Sequence, residues 1–173
     1  MAILPILIHP DPRLKKVCDP VTDITDDIRA LAQNMLATMY AAPGIGLAAP
    51  QVGITQRLLV ADTVKEGQGE PRPIVMINPE IVASSEERSI YDEGCLSIPE
   101  QYAEVERPAD VTITWTDENG ADHREDFDGL WATCLQHEID HLNGVLFIDY
   151  LKPLKRQLIT RKMQKLKRER ARA

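Results

Sequence analysis

Residues 137–141 read His137-Glu138-Ile139-Asp140-His141, and this pentapeptide constrains the chain more than any other stretch. On an α-helix, side chains at i and i+4 lie on one face, one turn apart, so both imidazoles can aim at a single metal ion. Glu138 sits about 100° around the helix from His137, close enough to hydrogen-bond a water held there and to take and return its proton. Local signals support a helix from about Gly129 to Asn143, with Asp128 as a cap and Gly144 as the stop. Leu135, Ile139 and Leu142 supply the opposite, apolar face. The same pentapeptide also arises where the histidines are only core or surface residues. Here two of the four histidines fall in this register. His9 and His123 lack comparable partners and read as structural or exposed.

Two histidines do not complete a catalytic site of the zinc type, which uses three protein ligands and keeps one position open. Cys95, in Glu93-Gly94-Cys95-Leu96-Ser97, is the candidate third ligand; Gly94 lets the backbone turn closely there. The plainer reading of a free cysteine is a small buried hydrophobe. Cys134 is a rival, three residues before His137 and on its face, but three ligands from one short helix face converge poorly. We read Cys134 as lining a pocket beside the metal and Cys18 as packing. Three sparse cysteines form no disulfide framework and suit a reducing compartment.

A third stretch, Gly44-Ile45-Gly46-Leu47-Ala48-Ala49-Pro50-Gln51, has small residues that admit a substrate backbone closely. The Gln51 amide could stabilise an oxyanion. Phosphate cradling is the alternative, but the Lys-Ser/Thr of a P-loop and full GxGxxG spacing are missing.

The rest of the chain reads as one compact α+β domain. Thr25 can cap a helix, with Asp26 and Asp27 in its first turn and Ile28, Leu31, Ala32, Met35, Leu36 and Met39 at helical spacing, stopped by Pro43-Gly44. Arg57–Ala61, Ile74–Ile77 and the alternating Val111–Thr116 predict strands, and Asn119-Gly120 a hairpin turn. A last helix starts near Pro153, with Leu154, Leu158, Ile159, Met163 and Leu166 as its apolar stripe. No apolar run is long enough for a bilayer. Residues 1–8 lack the basic start and cleavage pattern of a secretion signal, which predicts a cytoplasmic protein. Charge is unevenly distributed: residues 152–173 carry ten basic side chains and one acid, a balance of +9, against −16 for residues 1–151. Such a segment is either a solvated helix face or an arm that seeks polyanions.

Together the three stretches resemble the peptide deformylase family, whose motifs GφGφAAxQ, EGCφS and HEφDH (φ apolar) occur here in the family's order and at similar spacing. The likeness runs from His9-Pro10-Asp11-Pro12-Arg13 to the basic C-terminal helix. It implies an α+β fold of mostly antiparallel sheets around a central metal-binding HExxH helix, with N- and C-terminal helices. It implies a catalytic domain over 1–152, with 153–173 as a basic amphipathic helix of the same fold. It implies that Cys95, His137 and His141 hold the metal, Fe²⁺ in the cell with Ni²⁺, Co²⁺ or Zn²⁺ able to substitute. Glu138 would be the general acid/base, and Gln51 with the Leu96 N–H the oxyanion hole. Ile45 and Gly46 would bind the peptide as an added strand.

On the same footing, Leu130 and Cys134 would join Ile45 and His137 around the methionine side chain. Glu93, counted among the substrate-side residues, would pair with Arg107 and prop the Cys95 strand. Where family members often carry a basic residue soon after EGCφS, this chain has Tyr102. The implied substrate is an N-formylmethionyl nascent peptide. The implied partner is the ribosome, with rRNA near the exit tunnel met by the +9 helix. Two rivals differ in class. An HExxH peptidase would draw a third His or Glu ligand from downstream, but no His follows His141. A non-catalytic ribosome-associated module with structural zinc would need Cys134 as fourth ligand. Intact Glu138 and Gln51 argue against a family member that has lost its activity.

Overall fold

A computed structural model describes residues 1–173. The Thr25 hydroxyl accepts from the Ile28 N–H at 3.3 Å and opens helix α1, Asp26–Ala41. Seven strands follow: β1 (Gly46–Ala48), β2 (Leu58–Ala61), β3 (Ile74–Ser84), β4 (Arg88–Cys95), β5 (Ile98–Pro108), β6 (Val111–Thr116) and β7 (Asp122–Phe127). Helices α2 (Gly129–Leu142) and α3 (Pro153–Arg172) complete the chain, joined through a 3₁₀ turn at Phe147–Tyr150. All named strand pairs are antiparallel, in a five-stranded sheet ordered β1-β2-β3-β6-β7 and a separate β4–β5 hairpin. Antiparallel sheets and three helices make this an α+β fold, as the pattern predicts.

The larger sheet is covered on both faces. Every residue of β2 is buried, and because side chains alternate across a strand the two sets meet different helices. Leu58 and Val60 join the α1 cluster around Met35 and Met39. Leu59 and Ala61 join the α2 cluster around Leu135 and Ile139. A third cluster packs β5 against the 3₁₀ turn and α3, through Ile98, Val105, Phe147, Ile159 and Met163. Ten of the fourteen residues of α2 are buried, so more than its apolar face lies inside the protein. No helix is long and apolar enough to cross a membrane.

Four local expectations change. Strand β3 continues past Ile77 because a register shift between Ile77 and Glu80 accommodates Pro79, which has no N–H for a regular ladder. The β4–β5 hairpin and β7 are strands whose exposed faces are largely polar or charged, so no apolar run announces them. Asp128 stands at the N-cap of α2, but its side chain makes no cap bond; its carbonyl accepts from the Ala132 N–H instead. Leu154 and Leu158 are 71% and 47% exposed. The packed seam of α3 is Ile159 and Met163 with Leu166, spaced three to four residues apart on one face, and Leu154 and Leu158 fall outside that seam.

Gly144 ends the α2 segment at φ +74°, where a Cβ would stand 2.5 Å from the Lys15 carbonyl oxygen. A left-handed conformation disfavours side chains, and a backbone atom cannot swing away. Gly144→Ala should lower unfolding free energy by about 2–4 kcal/mol in urea titrations.

Candidate metal centre

Burial makes the polar residues of α2 a physical problem that only specific partners solve. His141 is fully buried, and His137 and Glu138 nearly so. The β4–β5 hairpin brings Cys95 to them. Its Sγ lies 3.3 Å from His141 Nε2, and the donor atoms of Cys95, His137 and His141 all fall within 4.8 Å of one another. Bond lengths of about 2.0–2.3 Å put donors on one tetrahedral ion roughly 3.3–3.6 Å apart, so the three can close on a single cation with little movement. The donor set is chemically suited to one: a sulfur and two imidazoles bind Zn²⁺ or Fe²⁺. Burial, reinforced by His137 and Arg107, holds His141 well below the usual histidine range, in the neutral form that a ligand needs.

His137 is oriented from behind. Its Nδ1 is 3.0 Å from Glu93 Oε1, which leaves Nε2 for the cation, the carboxylate–histidine arrangement common around metals. The expected Glu93–Arg107 ion pair is bidentate, Nε to Oε2 at 2.7 Å and Nη2 to Oε1 at 2.9 Å. Burial pushes the Glu93 carboxyl up, but Arg107 and His137 outweigh it and hold the group below the usual range. Glu93 lines the cleft wall, yet both its oxygens are engaged by Arg107 and His137. Glu93 thus stands in the cleft wall with its carboxylate turned to Arg107 and His137.

Glu138 has an opposite environment. Its Oε1 is 3.8 Å from His137 Nε2, and its buried Oε2 has no hydrogen-bond partner. Burial pushes its carboxyl up to about 7. An unpartnered acid beside three converging donors is suited to a water or reacting group between them. Gln51 is locked in place: its Oε1 accepts from the Ala48 N–H at 2.9 Å, and its Nε2 lies 3.1 Å from Ser97 Oγ and 3.5 Å from Cys95 Sγ. Gly46 is required for close approach, since a Cβ there would stand 2.9 Å from both Cys134 Sγ and Glu138 Oε1.

Ile45, Gly46, Leu96, Leu130, Cys134, His137 and Glu138 all line one cleft of about 1000 Å³, with Tyr102 on its rim. Cys134 is absent from the converging donors; its thiol faces the Ile45 carbonyl at 3.5 Å. Burial raises that thiol well above the usual cysteine range; the closed four-ligand zinc alternative lacks its fourth ligand because the Cys134 sulfur does not join the converging donors. Cys18 is core. His9 Nε2 lies 2.9 Å from Thr160 Oγ1, and His123 stacks on Trp115; neither is near the donors. Sequence reasoning passed over Asp140 and Tyr150. Arg107 Nη1 donates to Asp140 Oδ2 at 2.8 Å, and the Tyr150 hydroxyl donates to the same oxygen at 2.7 Å. The available signal was the place of Asp140 inside the HExxH stretch, three residues from His137.

Glu93→Gln should leave Arg107 under-compensated and lower stability at neutral pH by about 3 kcal/mol. Because the folded-state carboxyl is depressed, its contribution is present above the unfolded value and disappears as pH falls through the folded one. The difference between wild type and variant in urea titrations should therefore shrink progressively below pH 4.5.

Comparisons with known proteins agree on one family. The sequence pattern of polypeptide deformylase matches residues 3–157. A peptide deformylase of Rhizobium meliloti (strain 1021) is 59% identical over 165 residues, 95% of this chain and 94% of that protein. The peptide deformylase structure from Legionella pneumophila superposes with a TM-score of 0.90 at 46% identity, over 99% of each chain. That from Ehrlichia chaffeensis in complex with actinonin gives 0.93 at 40% identity, over 97% of this chain and 99% of that one. With the match spanning the cleft, both sheets and all three motif stretches, the chain belongs to the polypeptide deformylase family, metal-dependent hydrolases that remove the formyl group from N-formylmethionyl nascent peptides.

Proposed function

We propose that the cleft performs this hydrolysis with Cys95, His137 and His141 as the metal ligands, Fe²⁺ being the resident ion and Ni²⁺, Co²⁺ or Zn²⁺ able to replace it. The observation that carries the reading is the convergence of these three donors beside the unpartnered Glu138 carboxylate. A divalent ion at such a site supplies Lewis acidity and brings a water's pKa toward neutrality. Glu138 takes the water's proton and returns it to the leaving amine nitrogen. The Gln51 amide and the Leu96 N–H donate to the oxygen on which negative charge develops; the lock on Gln51 by Ala48 and Ser97 supports this, because a donor fixed beforehand need not reorganise. Strand β1 is an edge of the sheet, so Ile45 and Gly46 can pair with an incoming peptide backbone. Ile45, Leu130 and Cys134 form the apolar wall for the methionine side chain.

Formate release from a formyl-Met tripeptide, under anaerobic conditions with Fe²⁺- or Ni²⁺-loaded protein, tests the reading. Glu138→Ala should keep one metal ion per chain and lose about 10²–10⁴ in kcat. Unchanged turnover in that variant, or no formate from the wild type, would overturn it.

Residues 1–152 then form the catalytic domain around the HExxH helix, with 153–173 as a helix of the same fold; burial of Ile159 and Met163 beside Phe147 supports that division. The free thiols suit a cytoplasmic, reducing setting. The exposed basic face of α3 suits rRNA phosphate near the exit tunnel. Joint charge reversal at exposed Lys155, Lys162 and Arg168 should weaken ribosome binding and flatten its salt dependence by a slope of about 3 or more. Turnover of short formyl peptides should be unaffected, and ribosome affinity equal to wild type would refute the docking role.

A further inference from the structure

His137 is steadied by a chain of contacts that runs from its ring to the protein surface. His137 Nδ1 meets Glu93, Arg107 grips Glu93 through two N–H groups, and Arg107 Nη1 reaches Asp140 Oδ2. The same Asp140 oxygen accepts the Tyr150 hydroxyl at 2.7 Å, and the Arg107 guanidinium carbon lies 5.0 Å from the Tyr150 ring centroid. Glu93 and Arg107 are buried, whereas Tyr150 is 52% exposed. The chain therefore ends in solvent on a single phenol. Tyr150 closes the 3₁₀ turn whose Phe147 ring faces His137 at 6.2 Å and 26°. That turn thus meets the histidine twice, once directly and once through three intervening groups.

We propose that Tyr150 is a positioning residue for the metal centre, holding Asp140 and Arg107 so that Glu93 keeps the His137 ring aimed at the ion. The inference rests on the reading of Cys95, His137 and His141 as ligands. Its physical basis is the partial exposure of Asp140, whose side chain is 21% accessible. Without the phenol that carboxylate turns to water, and Arg107 loses both its Nη1 partner and its aromatic cover. The guanidinium then has freedom to slide on Glu93, and the Glu93–His137 bond slackens. Partners one step beyond a ligand typically influence metal affinity by about 10–100-fold. Tyr150 stands further out, where a smaller effect is expected.

The test is the rate at which Ni²⁺-loaded protein yields its metal to excess chelator. Tyr150→Phe keeps the ring over Arg107 and loses only the hydroxyl; release should quicken about threefold. Tyr150→Ala loses both contacts and should quicken it about tenfold. In both variants kcat for a formyl-Met tripeptide should fall while KM stays constant. In a Glu93→Gln background one acceptor of the link is gone and the link is already weakened, so adding Tyr150→Phe should change release less than twofold. Release within twofold of wild type for both single variants would overturn the inference, as would an undiminished Tyr150 effect in the Glu93→Gln background. Wild-type protein that retains no metal would overturn the ligand reading, and this inference with it.

Discussion

The buried pair between Arg107 and Glu93 is the contact on which the site depends. Arg107 belongs to β5 and Glu93 to β4, while Asp140 and His137 belong to α2. One guanidinium thereby joins the hairpin to the helix, and the two carriers of the candidate ligands become one rigid unit. Burying a guanidinium is costly unless its charge and donors are satisfied. Here Glu93 takes two donors and Asp140 a third, so the burial that would otherwise destabilise the fold secures the geometry of the cleft.

The same hairpin-and-helix unit sets two carboxyls in opposed states on either side of the His137 ring. Glu93, surrounded by partners, is held below its ordinary range, whereas Glu138, buried with Oε2 lacking any hydrogen-bond partner, is pushed up to about 7. One acid is thus committed to structure and the other left free for protons. The two-sided burial of β2 completes the arrangement. With α1 on one face and α2 on the other, the short strand β1 lies against the HExxH helix at the distance that Gly46 permits.

Much of this was legible in the residues. Thr25, the apolar spacing of α1 and Gly144 marked helix ends, and each acts through local backbone chemistry that no distant partner needs to supply. The i, i+4 histidines declared a shared face for the same reason. Other elements were hidden. Strand β7 reads Asp122-His123-Arg124-Glu125-Asp126-Phe127, a charged run that is a strand because β6 offers it a ladder across the Asn119-Gly120 turn. Leu154 and Leu158 fit a helical stripe, but helical period alone does not say where the neighbouring core ends.

The sequence by itself determined the donor types, the register of His137, Glu138 and His141 on one helix, and the family to which these motifs point, because all of these depend on identity and short spacing. The tertiary structure alone decided that Cys95 converges with the helix while Cys134 turns to the Ile45 carbonyl. It also decided that Glu93 serves His137, and that Asp140 and Tyr150 belong to the same chain of contacts. These relations join residues separated by up to 89 positions. Such pairs meet only after the sheets and helices have packed, and no local propensity encodes which of two thiols or two carboxylates will face the cleft.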